Sequence, residues 1–152
     1  SVREGNMLYG MYPDSEPVEN GPLKPVMTLK ARVSQVRNLP KGATVSYGRT
    51  YRAEEGITSA VIPAGYADGY PRRLSNMGKV FINGKAYNQI GRICMDVCMA
   101  DVTGGDVRQG DEAILFGRGG MSIEAVAQIV GTINYELTCL VTERANRVYV
   151  NN

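Results

Sequence analysis

The sequence predicts a mainly β domain, a Greek-key and partly open barrel or sandwich, with one or two short helices near its C-terminus. Three observations predict it. Eighteen glycines and seven prolines in 152 residues cut the chain into short pieces, as turn-rich β domains require. Between those breaks, runs such as TLKARVS alternate apolar and polar residues at the period of a strand. Helical spacing enters only after residue 120. The length suits one domain, able to bury roughly 70 % of the surface its unfolded form exposes.

Residues 12–25 hold four prolines and mixed acids, and read as an extended loop. MTLKARVSQV follows as one long half-buried strand, with Leu29, Ala31 and Val33 on one side and Thr28, Lys30, Arg32 and Ser34 on the other. ITSAVIPAG (57–65) is almost continuously apolar, as a strand covered on both faces is. In KVFINGKAYNQIG, Asn83-Gly84 between two β-like runs signals a hairpin. ICMDVCMADV (93–102) and EAILFG (112–117) predict two further strands. FGRGG (116–120) lacks the Gly-Lys-Ser/Thr of a phosphate loop and reads as a turn. Ser122 can cap a helix whose Ile123, Ala127 and Val130 share a face and which Gly131 ends. A second helix starts near Asn134, with Ile133, Leu137, Leu140 and Val141 as its apolar stripe, and RVYV (147–150) closes the chain as a strand.

Composition excludes several kinds of chemistry. With no histidine, the chain alone makes no Ser-His or Cys-His pair and lacks the commonest metal ligand. A proton-transfer group here must be Tyr, Lys, Cys or a carboxylate. Seventeen basic against fifteen acidic residues give a net charge of +2, too balanced for a nucleic-acid or membrane surface. Three cysteines, at 94, 98 and 139, show no paired spacing and predict buried structural thiols, no disulfide and no metal site. No apolar run approaches the ~20 residues of a membrane span, and no signal-peptide pattern opens the sequence. A cytoplasmic protein is expected.

Several residues contradict their local pattern. Asp96 interrupts a predicted strand, so it has a partner, lies at an opening, or marks an edge or bulge. Tyr135 falls off the stripe of its helix, as a half-exposed helix-start tyrosine also does. Tyr47, in VSYG, stands where a glycine lets the backbone turn sharply, and an ordinary turn-flanking aromatic stands there too. GYADGY (65–70) sets Tyr66 and an aspartate between two glycines, with Tyr70 just after the second, in a rigid loop carrying phenols. These residues mark a place without giving a reaction.

Six motifs, MLYG (7–10), LKPVMTLKARVSQV (23–36), VSYG (45–48), GYADGYPRRL (65–74), GRICMD (91–96) and INYE (133–136), follow one another in a familiar order. In them the chain closely resembles the C-terminal domain of the alanine racemase family, over essentially its whole length. The resemblance implies a pyridoxal 5'-phosphate enzyme interconverting L- and D-alanine for bacterial peptidoglycan. It implies also a preceding (β/α)8 barrel, not in this chain, whose lysine binds the cofactor covalently. The isolated domain is therefore expected to be inactive. Family members are head-to-tail homodimers, so the expected partners are that barrel, a second subunit and alanine. A racemase for serine or several amino acids is an alternative, as is a non-catalytic interaction domain of a fusion protein.

The resemblance assigns roles residue by residue. Tyr47 matches the family's tyrosine base, acting on the α-hydrogen of the L-isomer. A free phenol titrates near pH 10; in the family a barrel histidine helps by linking the tyrosine to an arginine, here Arg3. That arginine faces the pyridine nitrogen of the cofactor and keeps it unprotonated. Gly5 and Asn6 match positions whose backbone N–H groups hold the cofactor phosphate, and Tyr135 matches the tyrosine whose hydroxyl reaches it. Tyr66 and Tyr135 narrow the entrance, while Arg72, Arg92 and Ile133 match an outer corridor. In the CMD motif, the Met95 backbone lies near the substrate carboxylate with Asp96 beside it. Tyr47, Tyr66, Met95 and Asp96 are expected to act on the other subunit's site, leaving Tyr135 and Asp96 unpaired within the domain. Two positions depart from the family pattern: Asn6 replaces an isoleucine-like residue, and Val97 replaces a glutamine.

Overall fold

Nine short strands and two helices make up a computed structural model that describes residues 5–12 and 23–150. The strands are β1 Leu29–Arg32, β2 Gln35–Leu39, β3 Thr44–Val45, β4 Tyr51–Arg52, β5 Ile57–Ile62, β6 Lys79–Ile82, β7 Lys85–Ile90, β8 Cys98–Asp101 and β9 Glu112–Phe116. The helices are α1 Ile123–Val130 and α2 Asn134–Leu140. Seven strands form one antiparallel sheet in the order β1-β9-β6-β7-β8-β5-β2. Within it, β9-β6-β7-β8 has the 4-1-2-3 order of a Greek key. The predicted fold class is the observed one.

The long strand expected over 27–36 is two strands. Val33 N–H donates to Asp111 O and Ser34 N–H to Val61 O, each at 2.9 Å. Neighbouring residues thus bond to opposite ends of the sheet: β1 pairs with β9, and β2 with β5. Because β1 and β2 are also the two edges, this change of partner curls the sheet toward a barrel. Ala60, Ile62, Val80, Ile82, Cys98, Ala100, Ala113 and Leu115 fill the inside and are wholly buried. The α1 residues Ile123, Val126, Ala127 and Val130 join that cluster.

The hairpin at Asn83-Gly84 joins β6 to β7 with positive φ at both turn residues, as a type I′ turn requires. The first helix also forms as expected: Ser122 Oγ accepts from Ala125 N–H at 3.1 Å, and Gly131 ends it in the left-handed conformation. In α2 the stripe differs from expectation. Asn134, Leu137 and Val141 are buried, whereas Ile133 and Leu140 are exposed. Asn134 Nδ2 donates to Tyr12 O at 2.9 Å and turns that side of the helix inward. Ile133 is the extended residue ahead of the helix.

Two predicted strands fall short. Only Cys98–Asp101 of 93–102 is a strand, because residues ahead of it bond elsewhere. Residues 147–150 form none, and Val148, Tyr149 and Val150 are exposed. Nor are all three thiols buried: Cys98 is, Cys94 is half-buried and Cys139 exposed. The extended loop expected at 12–25 lies mostly outside the described residues.

A second, smaller cluster of Val45, Ala53, Ile57 and Ile90 packs with Leu39, Tyr51 and Met99. It anchors the two-stranded β3–β4 ribbon against the sheet. That ribbon carries Tyr47 in its connection.

Candidate active-site cleft

Between β7 and β8 the chain runs through residues 91–97 without joining a ladder. Cys94 N–H donates to Val97 O at 2.9 Å, which folds the segment into a turn. Its outward carbonyls then serve the loop at 65–70. Cys94 O accepts from Tyr66 N–H at 3.1 Å, and Met95 O from Ala67 N–H at 3.0 Å. The contact is close enough to require glycine at 65, where a Cβ would stand 2.2 Å from Cys94 O. Asp68 completes the short turn by accepting from Gly65 N–H at 2.9 Å through Oδ2. The GYADGY loop is thus rigid, with Tyr66 outward and Tyr70 in the core.

A cleft of about 440 Å³ opens along this segment, lined among others by Tyr47, Tyr66, Arg72, Arg92, Met95 and Asp96. All six are residues singled out in the sequence. Tyr47 is 75 % exposed, so its phenol stands free at the rim. Arg72 rides on a short helical turn, Arg72–Leu74, pinned by the buried Leu74. Ser75 Oγ bonds to Arg72 O and accepts from Ile93 N–H at 3.0 Å, tying that turn to the cleft floor.

Asp96 lies outside the strand, at the cleft opening and with a partner, as its residue pattern allowed; the unpaired state implied by the resemblance is not observed. Its Oδ1 lies 2.5 Å from Arg144 Nη2, and Arg144 Nε lies 3.4 Å from Asp68 Oδ1. Hydrogen bonding to Asp96, with the charges of both carboxylates, moves the guanidinium further above its ordinary range. Arg144 therefore neutralises carboxylates at one end of the cleft, while Arg72 and Arg92 leave it a positive lining. An amino-acid carboxylate suits such a lining.

The remaining predicted residues form a second group. Gly5 and Asn6 begin the helical turn Gly5–Tyr9; Arg3 lies outside the described residues. Tyr9 and Thr138 line one apolar hollow of about 140 Å³ with Met11 and Ile123. Tyr135, half-buried, is one turn before Thr138 on α2. The N-terminal turn and the start of α2 are thus neighbours, also through the Asn134–Tyr12 bond. Ile133 stands exposed beside them and does not line the cleft.

Sequence reasoning missed Ser46, Arg144 and Asn76. Ser46 has φ 64, rare for a residue with a side chain, and Asn76 has φ 63. Asn76 Oδ1 accepts from Gly91 N–H at 2.6 Å and so fixes the start of the cleft segment. Arg144 is 48 residues from Asp96, with no local pattern connecting the two.

A model of the family described as "Alanine racemase, C-terminal domain" matches residues 26–149. The chain is 48 % identical over 152 residues to the alanine racemase of Desulforamulus reducens, covering 98 % of this chain and 41 % of that protein. To that of Carboxydothermus hydrogenoformans it is 50 % identical over 154 residues, covering 98 % and 42 %. A solved alanine racemase of Clostridium difficile 630 in complex with cycloserine superposes with TM-score 0.89 at 41 % identity, over 95 % of this chain and 39 % of that one. The alanine racemase of Bartonella henselae with covalently bound pyridoxal phosphate superposes with TM-score 0.88 at 35 % identity, over 96 % and 40 %. The chain spans about two fifths of the length of the curated relatives it matches.

Proposed function

The chain belongs to the alanine racemase C-terminal-domain family, and on that premise we propose that it supplies the tyrosine base and the substrate access of an enzyme interconverting L- and D-alanine. One observation carries this reading. Tyr47 stands exposed at the rim of a cleft that also holds Tyr66, Arg72, Arg92 and Met95. Inverting an α-carbon needs two acid–base groups on opposite sides of one plane, and the chain has no histidine to act as either. The Tyr47 oxygen takes the α-proton of L-alanine and, in the reverse direction, returns one. Arg72 and Arg92 draw the substrate carboxylate inward, and the Met95 backbone meets it. Arg144 offsets the charge of Asp96, which would otherwise repel that carboxylate.

The family implies pyridoxal phosphate, and the donors available fit it. Gly5 is exposed, and nothing lies within 4 Å of where its Cβ would be, so a phosphate could approach its backbone closely. Gly5 and Asn6 would hold the phosphate by their N–H groups, with the Tyr135 hydroxyl, and Arg3 the ring nitrogen. When bound, the cofactor delocalises the charge left at the α-carbon. In this reading its covalent lysine belongs to a (β/α)8 barrel outside the chain, and the isolated chain does not racemise. Tyr47, Tyr66, Met95 and Asp96 serve the second subunit of a head-to-tail homodimer. The setting is a bacterial cytoplasm, where the D-alanine feeds peptidoglycan. Among the described residues, no helix is long and apolar enough to cross a membrane.

The test is Tyr47→Phe in the full-length enzyme. Loss of a general base lowers the rate of L-alanine racemisation by about 10²–10⁴-fold. An unchanged rate would sink the reading.

A further inference from the structure

Tyr47 stands on a ribbon whose strands, β3 and β4, have two residues each, and such a ribbon does not fix its own connection. What holds the phenol in place must lie next to it. Ser46 has φ 64 and ψ −176, a conformation open to glycine but strained for a residue with a Cβ. Strain of this kind persists only where surroundings enforce it. Here they do so from one side, the segment 91–97. Ser46 Oγ donates to Arg92 O at 2.6 Å and lies 3.3 Å from Cys94 Sγ. Gly91 comes so near that a Cβ on it would stand 2.8 Å from Val45 O and 3.1 Å from Ser46 Cβ. The Arg92 guanidinium lies against Gly48, where a Cβ would be 3.2 Å from Cζ.

The segment that holds Ser46 is itself firmly held. Gln89, buried, donates through Nε2 to Ile90 O at 3.0 Å and to Gly91 O at 2.9 Å, and accepts from Asn76 N–H at 2.6 Å. The same segment carries the two carbonyls that seat Tyr66. It therefore sets both phenols from one rigid base.

We propose that Ser46 is the positioning residue of Tyr47: its hydroxyl, bonded to Arg92 O, keeps the connection in its strained form and so fixes the phenol over the cleft. This rests on the reading of Tyr47 as the acid–base group for the L-isomer. Ser46 touches no reacting atom, and its contribution is geometric. Serine combines what alternatives separate. Alanine would keep the strain and lose the bond, while glycine would lose both and leave the connection free to move.

The experiment uses the full-length enzyme with Ser46→Ala and Ser46→Gly, the glycine variant removing strain so that folding is preserved. A displacement near 1 Å costs on the order of 10²-fold in rate, so kcat/KM should fall about tenfold to a hundredfold in both directions. The direction-specific signature is isotopic. If Tyr47 is displaced, proton removal from Cα-deuterated L-alanine becomes more rate-limiting and its primary isotope effect rises. The isotope effect on Cα-deuterated D-alanine, whose proton goes to the opposite base, falls. A purely structural loss lowers the amount of active enzyme and moves neither. Crystal structures of the variants should show the Tyr47 ring displaced or in several rotamers, with Tyr66 in place. Unchanged kinetics, or isotope effects that stay equal to the parent's, would overturn the inference. Tyr47→Phe run alongside separates the two claims. Activity retained in that variant refutes the base itself, whereas activity lost there but kept in both Ser46 variants refutes only the positioning role.

Discussion

Tyr70 and Tyr66 sit four residues apart in one loop, yet their hydroxyls meet opposite fates. Tyr66 faces the cleft, whereas Tyr70 is 0 % exposed and its hydroxyl has no hydrogen-bond partner among the described residues. Burial pushes its ionisation far up, so it stays a neutral phenol throughout the physiological range. A buried hydroxyl that lost its water without replacement is destabilising by about 1–3 kcal/mol. Tyr70→Phe keeps the ring and removes that penalty, and should raise stability by about 1 kcal/mol, read as a higher urea midpoint at constant slope. A loss of stability would show that an internal water satisfies the hydroxyl. The sequence marked the loop through its glycines, but not which phenol turns inward, since that depends on distant Gly78, where a Cβ would stand 2.8 Å from the Tyr70 hydroxyl. The partner that Asp96 calls for is hidden from the sequence for a similar reason: Arg144 arrives from beyond α2.

Among the elements, α1 was fully legible and the long strands were not, and the difference is physical. Ser122, the apolar spacing and Gly131 all act within a few residues, so a helix is specified locally. Alternation tells which side of a strand is buried but not which neighbour each amide bonds. The partner change at Val33-Ser34 and the release of 93–97 from the sheet therefore leave no mark in the alternation. The released segment depends on its neighbours to stay in place, and Arg144, from the chain after α2, ties its Asp96 to Asp68 of the Tyr66 turn. Both pairs hang on a half-exposed guanidinium, so Arg144→Ala should change global stability little. Its local effect is larger. Hydrogen exchange at the Tyr66 and Ala67 amides, which bond to Cys94 O and Met95 O, should quicken in the variant while β8 amides stay protected. High salt should bring the parent closer to the variant, because exposed pairs are screened. Equal exchange in both proteins would show that the backbone bonds alone hold the turn.

At the scale of the whole molecule, the curled sheet has one interior, and two of its members carry protons they cannot release. Cys98 is wholly buried, and desolvation raises its thiol well above the ordinary value, with the nearby Cys94 adding to the shift. Tyr70 is raised in the same sense, again mainly by desolvation. The sign of the consequence follows from linkage. In the unfolded chain the thiol ionises near pH 8.5 and the phenol near pH 10, while in the folded chain both remain protonated. The folded state then binds more protons than the unfolded one, so stability declines as pH rises past those unfolded values. Below about pH 8 neither group contributes a slope. The cleft, being outside this interior, should keep its structure until the core itself gives way. Equilibrium unfolding followed from pH 7 to pH 11 should therefore show a loss of stability that begins near pH 8.5 and steepens near pH 10. Cys98→Ala, which leaves no thiol to ionise, should remove the first part of that decline while lowering stability at neutral pH by the void it leaves. An identical alkaline limb in the variant would show that Cys98 is not the source of the first part of the decline.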